Sequence, residues 1–195
     1  YSGNVKIYQN DSGSWNQIGD EIEGSGSVSL SADGSVVALG VFDLDINERL
    51  SRFVRIYKLE NNSWNQIGSD LNEEDIYNYS GNSLSLSADG SVVAIGAPNH
   101  TDSGTYIDYV RVFSNNNGIW TQLGDKINGS VSSVSLSSDG SVVAIGAANS
   151  KHTKIYKLEN NSWNQVGSDI DENEDFNSGY IVSLSDDGSV VAIGT

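Results

Sequence analysis

SVSLSADGSVVALG occupies residues 27–40, and nearly the same phrase returns as SLSLSADGSVVAIG at 83–96, SVSLSSDGSVVAIG at 133–146 and IVSLSDDGSVVAIG at 181–194. A second phrase alternates with it: VKIYQNDSGSWNQIG from Val5, with copies from Val54, Val110 and Thr153. Self-similarity at a period of roughly 50 residues is typical of propellers and solenoids. The repeat therefore decides the fold class before any single residue is considered.

The first phrase predicts a tight β-hairpin. Val28 and Leu30 alternate with serines, which is the period of a strand with one buried face. Asp33-Gly34 follows, and Asp-Gly between apolar runs is a strong hairpin signal because glycine accepts a positive φ without steric cost. The next run, 36–39, is apolar at every position, which indicates burial on both faces between neighbouring sheets.

The second phrase predicts another hairpin. In its second copy residues 54–57 alternate, the cluster 61–63 turns the chain, and the strand returns through Trp64. Each repeat thus holds four short antiparallel strands, and one such sheet cannot bury its faces alone. A β-propeller blade fits this pattern best. A β-solenoid is the alternative, although its coils are usually shorter and lack paired Asp-Gly hairpins.

The strand count predicts an all-β, four-bladed β-propeller in a single domain, residues 1–195. Its repeats cover about 23–70, 79–126, 130–169, and 179–195 joined with 1–20. The C-terminal hairpin at 181–194 is expected to pair with the N-terminal hairpin at 5–18, because joining them removes free sheet edges. First-phrase strands should lie nearest the axis and tryptophan strands outermost. The alternative is a fragment of a longer repeat array, and the chain opens on Tyr1 as an excised piece of a precursor would.

The second repeat resembles the FG-GAP repeat of integrin-α-like propellers. The resemblance rests on Tyr79-Ser80-Gly81-Asn82-Ser83-Leu84, Ala88-Asp89-Gly90, Ile95-Gly96-Ala97-Pro98 and Val110-Arg111-Val112-Phe113. It runs over all four repeats, but only the second keeps Gly-Ala-Pro. The resemblance implies a secreted or cell-surface protein used in adhesion and recognition. Many relatives of this kind have seven blades, so four repeats depart from the family.

The hairpin turns keep only part of that family's calcium loop, which resembles Asp-x-Asp/Asn-x-Asp-Gly-x-x-Asp. Each turn retains Asp-Gly and lacks the surrounding carboxylates, whereas Ca²⁺ prefers roughly six to eight oxygen ligands. We therefore expect plain turns, no cofactor and no metal site. Weak Ca²⁺ binding is the most that these turns would give. The same holds for the first long acidic loop, with Asp43, Asp45, Asn47 and Glu48.

Composition excludes several classes of function. The net charge of −16 repels the phosphates of nucleic acid and of anionic membranes, and no run is apolar enough for membrane insertion. The absence of cysteine excludes disulfides, a thiol nucleophile and a zinc–thiolate site. Acidic repeats rich in Ser, Asn, Gly and Asp favour an extracellular or cell-surface location, with a cytoplasmic scaffold as the alternative.

No group of residues predicts catalysis. The acidic clusters 73–75 and 169–175 lie in polar loops, where a carboxyl does not acquire the raised pKa that a catalytic acid needs. His100 and His152 lie in different loops without a nucleophile pattern, so both are expected to be exposed to solvent. The set of catalytic residues is therefore empty, and the chain is predicted not to be an enzyme.

Tryptophan recurs at one repeat position, as Trp15, Trp64, Trp120 and Trp163. Recurrence in every blade favours a packing role because a buried indole contributes large apolar area. Stacking on sugars is the alternative. A basic residue also recurs, and an acid follows each tryptophan strand, which predicts repeated surface ion pairs. The residues concerned are Lys6, Arg55, Arg111 and Lys154 with Asp20, Asp70, Asp125 and Asp169.

Six Asn-x-Ser/Thr sequons are candidate glycosylation sites. They are Asn10, Asn61, Asn78, Asn99, Asn128 and Asn160. Asn10, Asn61 and Asn160 fall in the same hairpin of three repeats, where a bulky glycan would be tolerated. If a eukaryote secretes the protein, we expect several to be occupied.

These observations predict a non-enzymatic, extracellular structural or adhesive propeller module that belongs to a surface assembly or filament. A glycan-binding, lectin-like propeller that uses the tryptophans is the alternative. The expected partners are other extracellular proteins, glycans, or the chain itself, since the terminal half-blades can meet within one molecule or between successive molecules.

Overall fold

The computed structural model describes residues 3–44, 50–72, 80–98, 108–147, 152–171 and 181–194. All regular secondary structure in these ranges is β-strand, and the strands are joined by turns, bends and irregular segments, which confirms the all-β prediction. The strands are β1 Asn4–Val5, β2 Tyr8–Asp11, β3 Ser14–Gln17, β4 Ile22–Glu23, β5 Val28–Leu30, β6 Val36–Leu44, β7 Leu50–Glu60, β8 Ser63–Gln66, β9 Leu71–Asn72, β10 Ser83–Leu86, β11 Val92–Ala97, β12 Tyr109–Asn116, β13 Ile119–Gln122, β14 Ile127–Asn128, β15 Ser133–Leu136, β16 Val142–Ala147, β17 His152–Glu159, β18 Ser162–Gln165, β19 Ile170–Asp171, β20 Ile181–Leu184 and β21 Val191–Gly194.

Three complete antiparallel sheets follow one another along the chain. Each places its four main strands in sequence order, and a short fifth strand pairs beside the third. We call them blade 1 (β5–β9), blade 2 (β10–β14) and blade 3 (β15–β19). The register repeats: Ala38 faces Ile56 in blade 1, and Ala94 faces Val112 in blade 2. The two phrases of the sequence thus form the inner and outer halves of each blade.

A serine and an aspartate build the first-phrase turn. In blade 3 the Ser137 hydroxyl donates to Asp139 Oδ1 at 2.7 Å and accepts from the backbone N–H of Val142 at 3.0 Å. The backbone N–H of Ser141 donates to the same carboxylate oxygen at 2.9 Å. These hydrogen bonds favour the ionised carboxylate and lower the pKa of Asp139. The Ser-x-Asp-Gly-Ser sequence is therefore a self-contained turn.

The second-phrase turn is made by residues in the left-handed region. Asn61 and Asn62 have φ of 51° and 60°, and Asn160 and Asn161 have 51° and 62°. Positive φ at both central residues is the requirement of a type I′ hairpin turn, which asparagine tolerates better than most residues. The predicted turns at both hairpins are thus confirmed.

Apolar side chains between blades hold the stack together. One cluster joins blades 1 and 2 through residues such as Ala38, Val54 and Leu86, and a second joins blades 2 and 3 through Val110 and Val143. The first strands of successive blades lie against one another, and the tryptophan strands lie at the far edge of each sheet. The predicted order from axis to rim is confirmed.

The terminal hairpins do not share a sheet. Strands β2 and β3 form one two-stranded sheet, and β20 and β21 form another. The N-terminal half packs on blade 1 through Ile7 and Ile22, and the C-terminal half packs on blade 3 beside β15 and β16. The prediction that the two hairpins complete one blade is wrong for this structure. Each hairpin keeps its contacts with the blade next to it in sequence, and the four repeats form an arc with a half-blade at each end.

Because these turns depend on ionised aspartates, we predict that the protein loses stability in acid. A carboxyl whose pKa is lowered in the folded protein stabilises the fold fully at pH values above its ordinary pKa of 3.8. This stabilisation is lost as the pH falls toward its pKa in the folded protein, which is about 2 for Asp187. Asp139→Asn should therefore lower the free energy of unfolding near neutral pH, with a difference from wild type that shrinks toward pH 2.

Urea unfolding at several pH values measures this difference. Asp186→Asn is the matched control, because this substitution removes the same charge from an exposed position beside a turn. A deficit for Asp139→Asn that stays constant with pH would show that the carboxylate charge is not what the turn uses.

Candidate active-site groove between blades 2 and 3

A cleft of about 270 Å³ lies between blades 2 and 3. His152, Lys154 and Tyr156 form one wall, and they alternate along β17. Successive side chains of a strand point to opposite faces, so these three share the face turned toward blade 2. The residue between the first two, Thr153, is fully buried. A histidine, a lysine and a tyrosine thus reach one hollow from a single rigid strand.

The short edge strand β14 forms the opposite wall. Ile127 is buried and pairs with Val110, which leaves Asn128 exposed at the rim. The chain then continues through Gly129 to Ser130, whose hydroxyl donates to Asp108 Oδ2 at 3.2 Å. This wall supplies an amide and a hydroxyl opposite the titratable side chains of β17.

A second hollow of about 340 Å³ continues from the first, with Ile127, Asn128 and Tyr156 common to both. It extends past Lys126 to the indole of Trp163. The two hollows form one groove along the junction of blades 2 and 3. Its ends differ, because one carries His152 and Lys154 and the other carries an aromatic face.

Asp169 organises the charges beside this groove. Its carboxylate accepts a hydrogen bond from Gln165 Nε2 at 2.7 Å, and Lys154 Nζ lies 3.4 Å from the other oxygen. The pKa of Asp169 is lowered, first by the bond from Gln165 and then by the charges of Lys154 and His152. Asp169 therefore stays ionised at neutral pH and balances a cationic end of the groove.

The groove combines the parts of an acid–base site. An imidazole can take up and release a proton near neutral pH. An ammonium group can stabilise negative charge that develops on a carbonyl oxygen during nucleophilic attack. His152, predicted to lie exposed in a loop, instead begins β17 and is half-buried in the cleft, so that prediction is wrong. The signal available in the sequence was the His-x-Lys-x-Tyr alternation at 152–156.

Three of the four tryptophans join neighbouring blades. The indole N–H of Trp64 donates to the carbonyl of Ile18 at 3.0 Å, and that of Trp120 donates to Ile67 at 3.0 Å. Trp163 makes the same bond, at 2.8 Å, to Leu123. These contacts support the packing role. Trp15, in the terminal hairpin, is 68% exposed. Stacking on sugars at the four tryptophans stays a prediction.

The sequons fall in different settings. Asn61 and Asn160 lie at exposed hairpin turns, and Asn128 lies on the exposed edge strand. Asn10 lies on β2, where its side-chain oxygen accepts from the backbone N–H of Gly13 at 3.0 Å. Asn78 and Asn99 lie outside the described residues. Glycosylation stays a prediction at all six.

The recurring ion pairs form in part as predicted. Arg55 binds Asp70 through two hydrogen bonds of 2.9 and 3.1 Å, and Lys154 pairs with Asp169. Lys6 instead pairs with Glu21, at 2.8 Å, rather than with Asp20. Arg111 places its guanidinium 5.0 Å from the centre of the Phe113 ring.

No group of three His, Asp or Glu side chains is placed to hold a metal ion among the described residues. His100, the cluster 73–75, Asp45, Asn47 and Glu48 lie outside them, as does most of 169–175. Weak Ca²⁺ binding therefore stays a prediction. Within the same ranges, no helix is long and apolar enough to cross a membrane.

Solved structures similar to this chain include β-propeller-like proteins, and the chain has the same kind of fold. The periplasmic gluconolactonase PpgL of Pseudomonas aeruginosa is 18% identical with a TM-score of 0.62, over 98% of this chain and 57% of that protein. A Bacteroides uniformis protein thought to be a 6-phosphogluconolactonase is 14% identical with a TM-score of 0.56, over 98% and 51%. TolB of Acinetobacter baumannii is 12% identical with a TM-score of 0.56, over 97% and 42%.

The chain thus spans about half the length of the structures it resembles. No protein-family model and no curated protein sequence matches it. The comparison corrects the functional expectation. Solved propellers similar to this chain include proteins named as lactonases, which contradicts both the expectation of a non-enzymatic structural or adhesion module and the expectation that the chain is not an enzyme.

Proposed function

We propose that the groove between blades 2 and 3 is the active site of a hydrolase that opens sugar lactones. The observation that carries the proposal is the alternation of His152, Lys154 and Tyr156 into one cleft of about 270 Å³. The likeness to a gluconolactonase supports the choice of substrate class. The reaction itself is argued from the residues of the cleft, because a fold alone does not define chemistry.

The proposed reaction is attack of water on the lactone carbonyl. His152 takes the proton from the attacking water, and the ammonium of Lys154 stabilises the oxyanion of the tetrahedral intermediate. The ring C–O bond then breaks, and the alkoxide that leaves receives the proton from the imidazolium of His152. Tyr156 and Asn128 line the part of the groove that is common to its two hollows, and they would position the sugar hydroxyls.

An unphosphorylated lactone is the favoured substrate. The chain carries a net charge of −16, which opposes the approach of a phosphate dianion. Lys154 is also paired with Asp169, so the local charge at that end of the groove is largely balanced. Glucono-δ-lactone is therefore the first compound to test.

We expect His152→Gln to lower kcat for glucono-δ-lactone about 100-fold or more, since a positioned general base contributes about 100- to 10,000-fold. Lys154→Met should lower it by a similar factor, because removal of one oxyanion-stabilising group costs about 100- to 1,000-fold. Proton release measured at slightly acidic pH, where spontaneous opening is slow, gives the rate. The rate without protein is subtracted.

Lys157→Met is the matched control. Lys157 follows Tyr156 on β17 and is exposed to solvent outside the cleft. Its Nζ lies 3.9 Å from Oε1 of Glu159. It should keep full activity. No activity above background in the wild type, or equal losses in all three variants, would contradict the proposed function.

Two finer proposals accompany this one. The repeat is related to the FG-GAP repeat, supported by the aromatic-to-glycine entry and the Asp-Gly turn of blade 2. The protein works outside the cytoplasm, a proposal supported by the periplasmic location of PpgL and by the acidic, Asn- and Ser-rich composition of the chain.

A further inference from the structure

We propose that the lactone opened in this groove belongs to a disaccharide, and that its second sugar ring lies in the hollow beside Trp163. The substrate class is then an aldobionolactone, in which a sugar lactone carries a further pyranose ring through a glycosidic bond. The inference rests on the proposed function, because it takes the first hollow as the place of reaction. It adds the part of the substrate that the second hollow receives.

The groove is longer than a single lactone ring needs. Its first hollow, of about 270 Å³, contains His152 and Lys154, the two side chains that carry the proposed reaction. The second hollow, of about 340 Å³, is larger and contains neither of them. Pockets that enclose a whole drug-sized ligand measure about 300–1,000 Å³. One sugar ring is smaller than such a ligand, so it occupies the first hollow and leaves the second free for another ring.

One continuous face of blade 3 lines both hollows. Tyr156 and Leu158 are two residues apart on β17, so their side chains share a face. Trp163 lies directly opposite Leu158 in the register of β17 and β18, which places the indole on that face as well. Tyr156 and Asn128 line both hollows. A ligand can therefore extend from the reaction site to the indole, with the bond between its two rings beside Tyr156 and Asn128.

The indole of Trp163 is held in place before any ligand binds. Its N–H donates to the carbonyl of Leu123 in blade 2 at 2.8 Å, and its Cδ1 would lie 2.9 Å from a Cβ built on Gly124. These contacts fix one edge of the half-buried ring against blade 2. A rigid aromatic surface binds at little cost in conformational entropy. The electron-rich face of an indole suits the weakly positive C–H bonds of a pyranose ring.

The charges at the second hollow favour a neutral ring over a phosphoryl group. Asp125 lines this hollow at an exposed position, where a carboxylate can accept hydrogen bonds from sugar hydroxyls. The ammonium of the next residue, Lys126, lies 4.9 Å from the centre of the Tyr109 ring, so an aromatic ring of its own blade engages this cation. A phosphoryl group would instead meet the like charge of Asp125, which opposes its binding.

Binding of the open acids tests the second hollow without any turnover. Gluconate and cellobionate share the ring-opened acid, and cellobionate adds one glucose ring. Isothermal titration calorimetry on the wild type should give a dissociation constant about 10-fold lower for cellobionate, as a favourable aromatic contact provides. Trp163→Leu should bring the two constants close together. Equal constants in the wild type, or no binding of cellobionate, would overturn the proposal.

Two matched controls separate binding from folding. Trp120→Leu removes the same side chain, with the same kind of N–H bond, at the junction of blades 1 and 2, and should keep the wild-type preference for cellobionate. Asp125→Asn changes an exposed side chain without loss of packing and should weaken the preference. Asp20→Asn, at the exposed position that follows the equivalent glycine of the first repeat, should not. Equal effects within either pair would contradict the assignment.

Turnover then distinguishes this proposal from the proposed function. Cellobiono-δ-lactone should have a kcat/KM about 10-fold above that of glucono-δ-lactone, and Trp163→Leu should lower the first value about 10-fold more than the second. If neither lactone is opened but cellobionate keeps its Trp163-dependent advantage, the proposed function is wrong and the site for the second ring stands. If glucono-δ-lactone is opened and the second ring gains nothing, or 6-phosphoglucono-δ-lactone is preferred to cellobiono-δ-lactone, the present proposal is wrong.

Discussion

Replacement of Trp120 by alanine is expected to lower the free energy of unfolding by about 3 kcal/mol, the low end of the range for deleting a large aromatic side chain from a core. Trp120 packs against the cluster between blades 1 and 2, and its indole N–H donates to the carbonyl of Ile67. For a chain of this size such a loss lowers Tm by about 6–12 °C. Thermal and urea unfolding measure both quantities.

Trp15→Ala is the internal control for that experiment. It deletes the same side chain from the same repeat position, but Trp15 is 68% exposed. Its effect should therefore stay within about 0.5 kcal/mol. Equal destabilisation by the two substitutions would show that the indole acts within its own hairpin rather than between blades.

Gly140→Ala is expected to destabilise the protein by about 3 kcal/mol or more. Gly140 has a φ of 70°, where an L-residue costs about 1–2 kcal/mol. The added methyl would also lie 2.7 Å from Val92 Cβ, and overpacking of a filled core costs about 1–3 kcal/mol. Val92 is a buried β-branched residue on a central strand, so it cannot move aside cheaply.

Gly34→Ala separates the two contributions. Gly34 has nearly the same φ, 72°, but the added methyl meets no described atom within 4 Å. Its cost should be that of the backbone alone, about 1–2 kcal/mol. A Gly140→Ala variant no less stable than Gly34→Ala would contradict the contact between the turn of one blade and the valine of the blade before it.

The local structure could be predicted from the sequence because the turn residues and the apolar alternation of each hairpin lie within the hairpin itself. Asp33-Gly34 specifies an inner turn and Asn61-Asn62 an outer one, and the alternation of Val54 and Ile56 assigns the buried face. The stacking of blades followed from the repeat itself. These features depend on residues close together in sequence, where a single chain carries the whole signal.

Closure of the ring could not be predicted, because it depends on the angle between blades rather than on either hairpin. That angle is set by the side chains packed at each junction, such as Val36 beneath Gly90, and no periodicity reports it. The predicted pairing of the terminal hairpins treated four repeats as a full circle. The structure shows that satisfied local contacts can instead leave an arc.

The groove was missed for a related reason. His152, Lys154 and Tyr156 belong to blade 3, whereas Asn128 belongs to blade 2, and only the stacking of the two sheets brings them to one cleft. A lone histidine carries little information in a sequence without nucleophile motifs. The alternation along β17 was visible, but its facing partner was not.

The apolar residues form separate clusters at three successive junctions, so the folding energy is divided among interfaces rather than held in one shared core. In the described part of the chain each repeat packs against the repeats next to it in sequence, so the stability of such an array approximates a sum of repeat and nearest-neighbour terms. Substitutions placed at different junctions should then act independently. In an evolving gene, the same property lets whole repeats be gained or lost by duplication and deletion, since each added unit brings its own interface and no shared core has to be rebuilt.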